Sequence, residues 1–141
     1  MIVDVDVDEM AVVYTDGSCI GNGQKNAKAG IGIYIPDSGV RIGERLPGEQ
    51  TNQRAEIYAV IRALEIDPRD LEIHTDSMYV VKAMTEWIFN WKNNGYKKVK
   101  NKDLFVRLDD LMRGRGIKFV HVRAHTGIVG NEIADQLARN A

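Results

Sequence analysis

The sequence predicts an α/β domain in which a mixed sheet is covered by helices. Two observations carry this. The first third of the chain holds three short apolar runs separated by turn residues, and the remainder alternates helical apolar stripes with short apolar strands. The first strand is the run at 11–14, which meets turn chemistry at Thr15-Asp16-Gly17-Ser18. Residues 19–29 scatter polar and basic groups around two glycines and read as a loop. Ile31, Ile33 and Ile35 alternate with small or polar partners and form a second strand, ended by Pro36. Asp37-Ser38-Gly39 turns the chain, and 40–46 returns as a hairpin strand. Thr51 is placed to cap a helix that reaches about Ile66, with Ile57, Val60, Ile61 and Leu64 as its apolar stripe. Asp67-Pro68 stops it. Residues 71–75 form another strand, and Asp76-Ser77 opens a helix through Met84. A short helix at 86–91 precedes a lysine-rich loop at 93–102. Leu104, Leu108 and Leu111 mark a helix ended by Gly114 and Gly116. The last strand is 117–122, and a closing helix at 128–139 turns Ile133, Ala134 and Leu137 inward.

The chain has 141 residues, enough for one domain with a self-sufficient core. Hydrophobic residues make up 44% and charged residues 28%, and no apolar run approaches the roughly 18 residues of a membrane span, so no membrane partner is expected. The N-terminus reads MIVDVDVDEM, with acids where a signal peptide carries basic residues. Residues 1–10 form an acidic tail that could be an extra edge strand or a frayed end. A single cysteine, Cys19, excludes an intramolecular disulfide and a cysteine-based metal site, which fits an intracellular, reducing compartment. The net charge of −1 hides an asymmetry: without Asp4, Asp6, Asp8 and Glu9 the rest carries +3. A mildly basic body is compatible with a nucleic-acid partner.

Four carboxylates stand out: Asp16, Glu56, Asp76 and Asp135. Asp16 and Asp76 each follow an apolar strand, and if those strands are parallel neighbours both acids open onto the crevice where α/β sheets bind ligands. Glu56 and Asp135 fall in the first turns of two helices. Alone, each has an ordinary explanation: a turn for Asp16, a helix cap for Asp76, solvated helix faces for the other two. Together they would be costly, because two carboxylates ~5 Å apart repel by roughly 3 kcal/mol at an effective dielectric of ~20. Mg²⁺, a hard cation that favours carboxylate and phosphate oxygens, relieves such a cluster.

The combination of Tyr14-Thr15-Asp16-Gly17-Ser18, Thr51-Asn52-Gln53-Arg54-Ala55-Glu56, Thr75-Asp76-Ser77, and 121–127 with Gly130-Asn131-Glu132 and Ala134-Asp135, resembles type 1 ribonuclease H over most of residues 11–140. The resemblance implies a ribonuclease H-like five-stranded mixed sheet, with three antiparallel leading strands, then parallel strands, and helices on both faces. It implies a catalytic domain at 11–141 that cuts the RNA strand of an RNA–DNA hybrid with two Mg²⁺ ions, Mn²⁺ being able to substitute, and leaves 5′-phosphate and 3′-hydroxyl ends. It makes Asp16, Glu56, Asp76 and Asp135 the metal ligands and gives His125 a part in proton transfer or product departure. A monomer is expected, though the sequence leaves the oligomeric state open.

The same resemblance implies that Asn22, Asn52 and Gln53 face the RNA minor groove. Amides donate and accept, as a 2′-hydroxyl does. Trp87, Trp91 and Tyr96 interleave with Lys92, Lys97, Lys98, Lys100 and Lys102, a pattern suited to the DNA strand. This basic segment is a shortened form of the family's protrusion, which lowers the expected affinity. Thr51 and Asn101 match a pocket for a DNA phosphate, but Glu49 stands where some members carry arginine and should weaken it. Ala124 replaces a common glycine before His125. Only the acidic tip precedes residue 11, so processive action is not expected. Two rivals stand beside this reading: a non-catalytic hybrid-binding module, and a related metal-dependent nuclease such as a transposase or resolvase domain.

Overall fold

The computed structural model describes residues 10–141, so the acidic tail expected at 1–10 lies, but for Met10, outside the described residues. Five strands form one sheet: β1 (Ala11–Ile20), β2 (Lys28–Ile35), β3 (Val40–Arg45), β4 (Leu71–Thr75) and β5 (Ile117–His121), in the order β3-β2-β1-β4-β5. The β1–β2 and β2–β3 pairs are antiparallel, and the β1–β4 and β4–β5 pairs are parallel. The helices are α1 (Asn52–Ile66), α2 (Met78–Lys82), α3 (Ile88–Asn93), α4 (Lys102–Met112) and α5 (Val129–Asn140). No helix among the described residues is long and apolar enough to cross a membrane.

Successive strand residues point to opposite faces, which places α1 and α5 on opposite sides of the sheet. A Cβ at Gly17 would meet the Ala55 backbone of α1 at 2.5 Å, whereas one at the paired strand's Gly32 would fall on the Ala134 carbonyl oxygen of α5. The α1 side holds the main core: Val13, Ile31, Ile33, Leu71 and Ile73 pack on Ile57, Val60 and Ile61, with Phe105 and Leu108 of α4 behind. Thr51 caps α1, its hydroxyl accepting from the Arg54 N–H at 3.1 Å, and Asp67 closes the other end, as the sequence predicts.

Three expectations are corrected. Residues 15–18 are strand, not turn, and the loop shrinks to 21–27, because β1 continues through Cys19↔Ala29 and Ile20↔Lys28 pairing with β2. Non-local ladder bonds here outweigh the local turn tendency of Asp-Gly. The helices expected through Met84 and at 86–91 are one continuous helical run, α2 leading through a π-helical turn at Ala83–Trp87 into α3. Helix α5 buries Gly130, Asn131, Ala134 and Ala138 most deeply, leaving Ile133 and Leu137 half-buried. Small residues line its inner face because the helix backbone rests directly on the glycines of β2.

That close approach has a measurable consequence. Gly32→Ala places a methyl against helix backbone, which cannot rotate away, so the chain must lose at least about 3 kcal/mol of stability. Denaturant unfolding measures this; a loss under about 1 kcal/mol would show that α5 does not sit so tightly on β2.

Candidate active site

The parallel β1–β4 pairing runs out at Thr15↔Thr75. Asp16 and Asp76 therefore follow at the same end of adjacent central strands, where open sheets place their ligand crevice. Glu56 arrives from the second turn of α1, and Gly17 makes room for it: with no side chain there, the α1 backbone closes on β1. The Gly17 N–H donates to Glu56 Oε1 at 2.6 Å. Asp16, Glu56 and Asp76 thereby bring one carboxylate oxygen each within 4.8 Å of one another. The three acids line a cleft of about 330 Å³ together with Asn52, His125, Asp135 and Arg139.

Asp16 and Glu56 are only 3% and 6% exposed, which is unusual for acids with no basic partner beside them. Burial, then the Glu56 charge and a hydrogen bond with it, pushes the Asp16 carboxyl far above the usual carboxylate range. Burial raises Glu56 as well, against hydrogen bonds from Asp16 and the Gly17 N–H that favour its charged form. Asp76 is raised by burial, opposed by hydrogen bonds from Asp16 and Asn131. Burial and the neighbouring acids thus favour the neutral form of Asp16, and Glu56 Oε2 is buried with no hydrogen-bond partner. A buried orphan acceptor of this kind calls for a missing donor or cation.

Asp135 stands slightly apart. It lines the same cleft from α5 but lies outside the tight group of three. Its carboxylate accepts from Arg139 Nε at 3.2 Å. His125 lines the cleft at φ +57°, a left-handed conformation rare for a residue with a side chain.

The residues expected to read substrate fall into two groups. Asn22, Thr51, Asn52 and Gln53 line an adjoining depression of about 460 Å³ with Lys100, and Asn52 borders both it and the acidic cleft. Asn22 Oδ1 accepts from the Asn52 N–H at 3.0 Å, tying the loop to the start of α1. Glu49 lines a third depression with Lys25 and Thr51, so a cation stands near the acid. Asn101, at φ +60°, donates from Nδ2 to the Tyr79 hydroxyl at 3.1 Å and accepts from Arg54 at 3.4 Å. Arg54 is itself held by Asp103 at 2.7 Å. Trp87 is 38% exposed, whereas Trp91 is half-buried against Phe105 with ring centroids 5.0 Å apart. The two tryptophans therefore differ: Trp87 offers an accessible ring, and Trp91 serves largely as packing.

Sequence reasoning assigned no role to Asn131 or Arg139. Asn131 is 2% exposed in the first turn of α5, and its side-chain amide favours the charged form of Asp76. The available signal was spacing: Asn131, Asp135 and Arg139 recur every fourth residue along one helix face.

The sheet order and the carboxylates just beyond the parallel β1–β4 pairing define the ribonuclease H-like class of α/β fold. A family model described as RNase H matches residues 8–141, and the chain belongs to that family. Ribonuclease H1 of Rattus norvegicus is 47% identical, with 93% of this chain and 50% of that protein covered. Ribonuclease HI of Pasteurella multocida is 38% identical, covering 90% and 86% respectively. A foamy viral protease-reverse transcriptase solved in complex with RNA/DNA hybrid superimposes with a TM-score of 0.74 at 28% identity, over 99% of this chain and 22% of that one. The chain thus spans about half the length of its mammalian relative.

Proposed function

We propose that residues 11–141 form a catalytic domain, an endoribonuclease that hydrolyses the RNA strand of RNA–DNA hybrids with two Mg²⁺ ions. The products carry 5′-phosphate and 3′-hydroxyl ends. The observation that carries the reading is the convergence of Asp16, Glu56 and Asp76 within 4.8 Å, with Asp135 on the wall of the same cleft. Family membership and the hybrid-bound structural neighbour support the substrate assignment.

The donor set fits a hard divalent cation. It offers only carboxylate oxygens, and the partnerless Glu56 Oε2 gives it an unused buried acceptor. Asp16, Glu56, Asp76 and Asp135 would hold the ions, with Mn²⁺ an acceptable substitute. When bound, a pair of such ions lowers the pKa of water and stabilises charge on a departing oxygen. The chain's own residues do the rest. The Gly17 N–H fixes Glu56 in orientation. Asn22, Asn52 and Gln53 stand beside the cleft with amide groups suited to a 2′-hydroxyl. Thr51 and Asn101 lie where a DNA phosphate would be held, and exposed Trp87 with Lys97, Lys98 and Lys100 presents an aromatic and basic surface to the DNA strand.

His125 borders the cleft and can move a proton at the reacting oxygens. His125→Ala is expected to slow turnover about 100-fold while leaving measurable activity, read from rate profiles of both proteins. Identical profiles in both proteins would remove that role.

The function is tested by offering labelled hybrid, duplex RNA, duplex DNA and single strands, each with Mg²⁺ or chelator. Cutting confined to hybrid RNA and lost with chelator is expected. Equal cutting of duplex DNA would favour a transposase- or resolvase-like nuclease, and hybrid binding without cutting would favour a binding module.

A further inference from the structure

Within the acidic cleft, Arg139 is the one fixed positive charge among the described lining residues. It stands one helical turn after Asp135 on α5, and its Nε lies 3.2 Å from the Asp135 carboxylate. Asp135 is also the acid that stays outside the group of three within 4.8 Å. The side chain of Asp135 is 21% exposed and that of Arg139 is 56% exposed, so the pair sits at the cleft mouth rather than in the core. A mouth-lying arginine is free to swing away, whereas Asp16 and Glu56 are held in place by burial.

We propose that Arg139 is a positioning residue that competes with metal for Asp135. It holds the fourth carboxylate on the cleft wall in the metal-free protein and yields it when a divalent ion enters. The inference rests on the two-metal reading above, and deepens it by assigning the counter-charge that an incoming ion displaces. One effect follows from the geometry. The Arg139 guanidinium occupies Asp135 lone pairs that the ion needs, which weakens metal binding at the Asp135 side of the site.

Calorimetric titration of Mg²⁺ into the full chain without nucleic acid tests this directly. Arg139→Gln should tighten the Mg²⁺ dissociation constant by roughly 2- to 5-fold, the scale expected for release of one partly exposed ion pair. Arg139→Lys keeps the charge and should stay near wild type. In an Asp135→Asn background, Arg139→Gln should change the constant less than about 2-fold, because the competition has lost its object. An unchanged or weaker constant in Arg139→Gln overturns the proposal. So does the same tightening with Asp135→Asn present, which would mean a diffuse charge effect. Failure of the underlying reading looks different: the wild type, and not only the variants, would take up no Mg²⁺.

Discussion

Asp76→Asn is expected to reduce Mg²⁺-dependent cleavage of hybrid by about 1000-fold or more while changing hybrid affinity less than about 3-fold. Asp76 is less buried than Asp16 and Glu56 and follows the end of β4, lining the open cleft. An amide keeps the shape but removes the charge a divalent cation needs. Hybrid affinity comes mainly from phosphate contacts, and the groups that would make them, Thr51, Asn101 and the lysines at 97, 98 and 100, lie outside the acidic cleft. Gel-based cleavage and filter binding on one preparation separate the two quantities. Near-wild-type turnover would show that Asp76 is not a metal ligand.

Asp16→Asn should also abolish cleavage, yet make the metal-free protein more stable at pH 7, by about 1–3 kcal/mol. Burial and the Glu56 charge raise the folded-state pKa of Asp16 above its unfolded value near 4. Above that pH the unfolded chain releases a proton that the folded chain retains. Stability therefore falls as pH rises from the ordinary carboxylate range toward neutrality and beyond. Glu56 and Asp76, also raised, add to the same slope. Removing the ionisable group at 16 flattens it, and Mg²⁺ added to the wild type compensates the charge and restores stability through binding. Denaturant unfolding from pH 4 to 9 reads the slope. Parallel pH profiles for wild type and variant would mean that Asp16 is not the strained member of the cluster.

Much of this was legible in the sequence because it is local. Alternation gave β2, the Ile57, Val60, Ile61 and Leu64 stripe gave α1, and Thr51 and Asp67-Pro68 gave its ends. Asp76 was legible because it follows β4, and Asp16 and Glu56 because each lies within a recognisable short motif. What escaped is non-local. Nothing near Asp16-Gly17 announces that β1 continues, since the bonds that extend it come from residues 28–32 of β2. The inner face of α5 is made of Gly130, Ala134 and Ala138, and a stripe of small residues shows as buried only when Gly30 and Gly32 are seen beneath it. Asn131 and Arg139 escaped for a similar reason: each acts on another acid rather than on the ligand.

Anomalous diffraction from wild-type crystals holding Mn²⁺ and a hybrid with a non-hydrolysable RNA linkage, with Asp76→Asn as control, tests the carboxylate convergence most directly. Two peaks roughly 3.5–4 Å apart are expected in the wild type, framed by Asp16, Glu56, Asp76 and Asp135. A well-ordered complex with no metal between Asp16, Glu56 and Asp76 would contradict the account.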